Sequence, residues 1–551
     1  MRTLLVLVAA FSLSTAQLTA QVTTDQWLND LDHLQQTVNN DYPFLFKKVT
    51  PDRFNQEVEE LRKDIPGLAD HQVLVGFARL VALFGYGHSY VSYRHDQVPM
   101  HRLPLQLYQF SDGIYIQGVT RPYQSLLGAK LVGVEGKSID QVLGLMKPAF
   151  PVENEQFYKA YGLNEINMPE LLHAQGVTEM LKMEISLEIE KDGKLMTVPV
   201  KAVPVGQTRD RPIKYGMIHT EGNWVGLGTG DNAPLFLKDL DRIYSYTYLE
   251  DKKTLYVRQS QIQDDSIADI PTFYGEVFDF IEQNNVDKLV LDVRLNGGGN
   301  NYKNKPIITG IIENKKINTQ GNFMVIIGRR TFSACQNLVN ELDNYTNVIF
   351  VGEPTGENIN FYGDNNRVIL PNSGVEVRLS FAWWQDKPQW ENGLWTSPHV
   401  AVDMSFADFM AGEDPVLEAA LNFDQDDLIL DPMGYFTQLF MAGKIDQLKK
   451  DAMAMKDDSR YKYFDMEGQF TQAGSRLLDS GQVQEGVFVF KLITDLYPES
   501  AYAWNNLADG LNKAGMTQEA VLTYRKVAEM AQGTLLGRGA AQKADTLSDQ
   551  K

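Results

Sequence analysis

Two short apolar runs, each ending in a polar or glycine-rich turn, constrain this chain more than any other feature. The first is Leu289-Val290-Leu291 with Val293, followed by Arg294-Leu295-Asn296-Gly297-Gly298-Gly299. The second is Phe323-Met324-Val325-Ile326-Ile327, followed by Gly328-Arg329-Arg330-Thr331-Phe332-Ser333. Unbroken runs of this length suit buried strands, because a strand with one wet face would alternate polar and apolar residues. The amphipathic stretch Ala334 to Leu342 then predicts a helix, which places Ser333 at a strand-to-helix junction. A serine at a helix start is often only an N-cap. At such a junction, however, its hydroxyl can also stand exposed on a sharp turn while nearby N–H groups hold an oxyanion, and glycines let backbone approach a ligand.

The same strand-and-helix order extends over residues 211–425, with a hairpin around Glu250-Asp251-Lys252-Lys253, a strand from Thr254 to Arg258 and a helix from Thr272 to Asn284. A further buried strand starts at Asn347 and ends in Val351-Gly352-Glu353-Pro354-Thr355-Gly356, and a hairpin over 366–383 turns at Pro371-Asn372-Ser373-Gly374. This is α/β order. Residues 21–97 read as a helical N-terminal domain, with Trp27, Leu31, Leu34 and Val38 on one apolar stripe and Phe54, Val58 and Leu61 on the next. The glycines of Gly85-Tyr86-Gly87-His88-Ser89 break that pattern and put His88 on a loop. Residues 98–210 form a β-rich domain whose Leu126 to Lys137 segment resembles the G-x-x-L-x-x-V-x-G phrase of PDZ domains. That resemblance implies capture of an extended peptide by strand addition. Over residues 426–551, Gly481 and Gly515, Glu485 and Glu519, Val487 and Val521, and Phe490 and Tyr524 are each 34 residues apart, the tetratricopeptide period. The expected architecture is therefore multidomain α/β with a helical, tetratricopeptide-like tail.

A chain of 551 residues exceeds one ordinary core, and 43% hydrophobic with 22% charged residues is a globular composition. The net charge of -20 argues against nucleic acid and anionic membrane surfaces as partners. Met1-Arg2 ahead of the apolar run Leu4 to Phe11, with small residues to Ala16 and Ala20, reads as a signal peptide over residues 1–20. Export to a bacterial periplasm or the exterior follows, with no stretch that inserts stably into a bilayer. Cys335 is the single cysteine, so no intrachain disulfide forms. The eight histidines lack metal spacing, and Gly297-Gly298-Gly299 lacks both the dinucleotide and the P-loop pattern, so no metal or other cofactor is expected.

The strand and glycine run, the Thr331-Phe332-Ser333-Ala334 segment and the Val351 to Thr355 turn together resemble the tail-specific, or C-terminal processing, serine peptidase family. The resemblance implies a crotonase-like ββα core with Ser333 as nucleophile. It also implies the N–H of Ala334 and one from Gly298 or Gly299 as oxyanion donors. In the commoner layout of the family a lysine after the G-E-P-T turn is the base, but here Gly356-Glu357-Asn358-Ile359 follows, and Lys303 and Lys305 stand in another loop. The tricorn-like branch uses a histidine and a glutamate instead. Gly85-Tyr86-Gly87-His88-Ser89 resembles its G-x-G-H-[ST] motif, and Trp390-Glu391-Asn392-Gly393 resembles its glutamate segment. His88 is then the base and Glu391 the orienting carboxylate, with Asp386 and Asp364 as rivals. An imidazole titrating near neutrality and held by a carboxylate is what a serine hydroxyl needs to become nucleophilic. The expectation is an exported serine-type endopeptidase acting on peptide or protein substrates, with a possible protein partner on the tail. The alternatives are a catalytically inactive ligand- or peptide-binding protein on the same fold, as in the interphotoreceptor retinoid-binding protein, or a repeat-mediated scaffold. Phe381, Trp383, Trp384, Trp390 and Trp395 form an aromatic group that suits either a substrate groove or core.

Overall fold

The computed structural model describes residues 22–95, 97–205, 213–218, 222–228, 233–390, 393–424 and 428–549. The expected signal peptide and Glu391 lie outside these residues. The chain divides into two compact units, Met1–Gly230 with Gly356–Leu394, and Asp231–Thr355 with Trp395–Lys551.

In the first unit, the helices Thr24–Asp41, Pro51–Asp64 and Asp70–Ala82 start where the sequence supplies caps. Thr23 and Gln26 form a reciprocal capping box, and Thr50 accepts from the N–H of Arg53 with Pro51 in the first turn. Their apolar stripes, Leu31, Leu34, Val38, Phe54 and Val58, are fully buried. One core runs from these helices into a seven-stranded sheet through Leu105, Ile116, Leu131, Ile185 and Ile189. In the strand Glu184–Lys191 every second side chain, Ile185, Leu187 and Ile189, points into that core. The turn Asp192-Gly193 joins it to the strand Lys194–Lys201, and both turn residues have positive φ, the mirror-image turn that matches strand twist. The stretch Gly356–Leu394, inside the 211–425 span, clusters with this unit. Its hairpin, Phe361–Ile369 and Glu376–Trp384, pairs with the two-residue strand Tyr90–Val91 just after His88.

In the second unit, six strands lie side by side in the order Tyr244–Leu249, Thr254–Gln259, Lys288–Asp292, Phe323–Ile327, Ile349–Gly352 and Val400–Ala401. The first pair is antiparallel and the others are parallel. Alternate residues of each run serve opposite faces. Leu289, Leu291, Phe323, Val325 and Ile327 pack under the helices Ile270–Gln283, Lys305–Glu313 and Ala334–Tyr345. Val290, Met324 and Ile326 pack against Val416 and Leu417 of the helix Pro415–Leu421. Both faces are thus dry, which is why the runs are unbroken.

The tail consists of the helices Pro432–Met441, Ile445–Asp457, Met466–Asp479, Val483–Leu496, Ala501–Lys513, Thr517–Met530 and Leu535–Asp549. Several features recur at the 34-residue spacing. Asp431 and Asp465 each cap a helix by accepting from the N–H of Gly434 and Gly468, both at 2.9 Å. Gly481 and Gly515 sit at turns with φ of 84° and 73°. Lys513 pairs with Asp479 and Lys543 with Asp509, which link equivalent positions of successive hairpins. The Phe490 ring lies against Gly474 and Gly510, where an added Cβ would come within 2.8 and 2.9 Å of it, so glycine sets the helix spacing. No helix among the described residues is long and apolar enough to cross a membrane.

Candidate active site

The residues expected to carry the chemistry fall in both units. In the second, Ser333 precedes the helix Ala334–Tyr345 with φ 56° and ψ -129°, a conformation that a residue with a Cβ adopts only under constraint. The constraint is visible. Thr331 Oγ1 donates to the Val293 carbonyl and accepts from the Gly328 N–H, each at 3.0 Å, and the Phe332 N–H donates to the Asn296 carbonyl at 3.2 Å. The Asn296 side chain donates to the Gln259 carbonyl at 3.1 Å and accepts from the Gly298 N–H at 2.9 Å. The two turns that follow the buried strands are thereby tied to each other.

Gly298 has φ 95°, and a Cβ there would stand 2.7 Å from the Phe332 carbonyl oxygen, 2.7 Å from the Ser333 Cβ and 2.9 Å from the Ala334 nitrogen. A Cβ at Gly299 would stand 2.3 Å from the Ile262 carbonyl oxygen. The glycine run therefore packs its backbone on the Ser333 turn. The Ala334 N–H is the first of its helix and has no acceptor within it, so it is available to an anion. Because Gly298 already donates to Asn296, Gly299 is the better placed of the two glycines to supply the second donor. Cys335, next in line, is buried, and burial pushes its thiol well above the usual value, so it is not a competing nucleophile. Gly298→Ala is expected to destabilise the protein by about 1 to 3 kcal/mol, from strain at positive φ and the displaced Ser333 turn. An unchanged thermal midpoint would refute this.

In the first unit, His88 follows Gly85 and Gly87. A Cβ at Gly87 would lie 2.4 Å from the Phe157 ring, which holds the loop close to its neighbour. The His88 carbonyl accepts from Asn365 at 3.1 Å, and Ser89 Oγ pairs with Ser380 Oγ at 2.8 Å and accepts from the Ser380 N–H at 3.0 Å. The hairpin 361–384 thus fixes the histidine's backbone, and the imidazole stacks on the Phe361 ring at 6.1 Å and 12°.

The carboxylate beside the ring is Glu357, with its Oε2 3.8 Å from Nδ1 and its side chain fully buried. Of the residues expected to orient the base, Asp364 is exposed on the hairpin and Asp386 is half-buried after it, while Glu391 lies outside the described residues. Glu357 is not among the carboxylates expected from the sequence, yet among the described residues it is a buried one that lies beside the ring. Its signal was its position, directly after the Thr355-Gly356 turn where the commoner layout carries its base.

At 3.8 Å the His88 and Glu357 pair is longer than a hydrogen bond, and burial dominates the ring's titration. It pushes the imidazole from 6.5 down to about 4. His88 is therefore neutral at pH 7 and able to take a proton. A lowered folded-state value means that stability is lost as pH falls through the window from 6.5 to 4. The folded ring itself is protonated only around pH 4, so any activity that depends on His88 should hold its value at pH 5.5 and fall with a midpoint near 4. An acid limb at the ordinary histidine value would contradict this placement of the ring. Lys303 pairs with Asp264 at 2.5 Å, away from the serine turn in sequence and engaged elsewhere. No cluster of three or more histidine, cysteine, aspartate or glutamate side chains among the described residues can hold a metal ion.

No protein-family model matches the chain, and no curated protein matches it. Solved structures do. A mutant form of CPAF aligns at a TM-score of 0.50 and 12% identity, covering 74% of this chain and 99% of that one. Mature CPAF aligns at 0.49 and 13%, covering 73% and 98%. The photosystem II D1 C-terminal processing protease aligns at 0.33 and 14%, covering 69% and 94%. The first of these carries the comparison. Over the matched span the chain has the CPAF fold, and as a whole it is multidomain α/β with a helical C-terminal region.

Proposed function

We propose that this protein is an exported serine-type endopeptidase of the tail-specific kind, with Ser333 as nucleophile, His88 as base and Glu357 as the carboxylate that orients the base. The observation that carries the reading is the strained Ser333 turn, held against Gly298 at the start of a helix. Strain of this kind persists only where surrounding structure enforces it, and it presents the hydroxyl beside unpaired N–H groups. The mechanism follows from these groups. Ser333 Oγ attacks the scissile carbonyl as His88 removes its proton, and the Ala334 and Gly299 N–H groups take the developing oxyanion. The protonated His88 then gives its proton to the leaving amine, and water reverses the sequence to free Ser333. Glu357 steadies the imidazolium while it exists.

The names of the structural neighbours, a C-terminal processing protease among them, point the same way. The seven-stranded sheet suits a PDZ-like module, and the recurring hairpins suit tetratricopeptide-like repeats, both of which would present protein substrate or a partner. A fluorophosphonate probe tests the reading. The adduct should map to the peptide that holds Ser333, should vanish in Ser333→Ala and should persist in Lys303→Ala and Lys305→Ala. Absence of labelling in the wild-type protein would favour a binding protein on this fold.

A further inference from the structure

Behind His88 lies a second buried carboxyl group to which the mechanism above gives no role. Glu153 is 3% exposed and sits at the end of an irregular segment, yet its carboxylate reaches three places at once. It accepts the Gly87 N–H at 2.6 Å, and the Asn358 N–H and the carboxyl group of Glu357 stand beside it. Gly87 immediately precedes the base and Asn358 immediately follows its orienting carboxylate. Gly87 and Asn358 are 271 residues apart in sequence, and Glu153 lies against both.

Two buried carboxyl groups side by side repel each other when both are ionised, and burial pushes the Glu153 carboxyl above its usual range, which favours one proton on the pair. The remaining negative charge faces the ammonium of Lys48, whose charge is felt by these same two carboxyl groups. Lys48 Nζ donates to the Gly85 carbonyl at 2.6 Å and lies 4.3 Å from the centre of the Tyr86 ring. The whole loop 85–88 is therefore gripped on one side by Lys48 and on the other by Glu153.

We propose that Glu153 is a positioning residue for the His88 and Glu357 pair: one buried carboxyl group ties the loop carrying the base to the loop carrying its partner. By keeping a proton on the pair, it also limits the negative charge that Glu357 turns toward the imidazole. This role rests on the catalytic reading of His88 given above. Glu357, Glu153 and Lys48 are charged groups that face the ring or the pair.

The test uses the full chain carrying Glu153→Gln or Glu153→Ala, with histidine titration followed by NMR and resonances assigned through His88→Ala. Glutamine still accepts the two N–H groups but cannot take up the shared proton as a carboxylate does, so Glu357 stays ionised beside the ring. The His88 midpoint should then rise by about one unit or more. Probe labelling at neutral pH should stay within about threefold of wild type in the glutamine variant. In the alanine variant, which frees both loops, it should fall about 100-fold. Should the alanine variant not fold, the glutamine variant alone decides through its titration. An unchanged His88 midpoint in Glu153→Gln overturns the proposal whether or not the wild-type protein labels. A shifted midpoint without labelling of wild type upholds the clamp and sinks the peptidase reading instead.

Discussion

Replacing His88 with alanine is expected to lower kcat for peptide hydrolysis by roughly 10^5- to 10^6-fold, the scale seen when one member of a serine and histidine unit is removed. The reason lies in the acidity of the serine hydroxyl, which leaves almost no alkoxide at neutral pH, so attack requires that the proton leave as the bond forms. His88 can accept it because burial keeps the ring neutral down to about pH 4. Because the two groups work as one unit, Ser333→Ala should cost about as much as His88→Ala, and the double variant no more than either. Additive losses, or a His88→Ala enzyme within about tenfold of wild type, would mean that another group takes the proton. Lys387 is the residue to examine in that event, since burial lowers its ammonium to about 8.

The second large effect is assigned to Glu357. Glu357→Gln preserves shape and volume but offers an amide where the imidazole needs a carboxylate, so the ring is free to adopt the wrong tautomer. Loss of the carboxylate charge also leaves the imidazolium intermediate unsupported. A fall of about 10^4-fold in kcat with little change in KM is expected, as for the corresponding acid-to-amide change in serine peptidase triads. Glu391→Gln, Asp386→Asn and Asp364→Asn should each remain within about tenfold of wild type. Kinetics of the four variants side by side settle which carboxylate serves the base, and a loss confined to Glu391→Gln would return that role to the tricorn-like segment.

The Ser333 turn and the His88 cluster differ in how far they can be read from the sequence. The Ser333 turn is local. Two buried strands, a glycine run and an amphipathic helix lie within residues 288–345, and the physics that shapes them, dry faces on both sides of the sheet and positive φ at Gly298, leaves its mark in adjacent residues. The His88 cluster is assembled from four distant pieces: Lys48, the loop 85–88, Glu153 and the stretch from Glu357. Nothing periodic links them. Glu153 stands 66 residues from Gly87 in a segment with no regular alternation, so its hydrogen bond is written only in the fold. The hairpin 361–384 was legible as a hairpin, but its pairing with Tyr90–Val91 was not, because two residues are too short a strand to carry a pattern. Glu357 was in plain view. It stands close to the position of the commoner layout's lysine, and nothing in the adjacent residues marks it as the acid that lies beside the His88 ring.

The measurement that bears most directly on this account is a rapid quench of the full-length protein during turnover of an activated ester, followed by tandem mass spectrometry of the modified peptide. The account predicts an acyl group on Ser333 in the wild-type protein and none in His88→Ala under the same conditions. An acyl group on a lysine or on Cys335, or one on Ser333 that forms equally fast without His88, would contradict it.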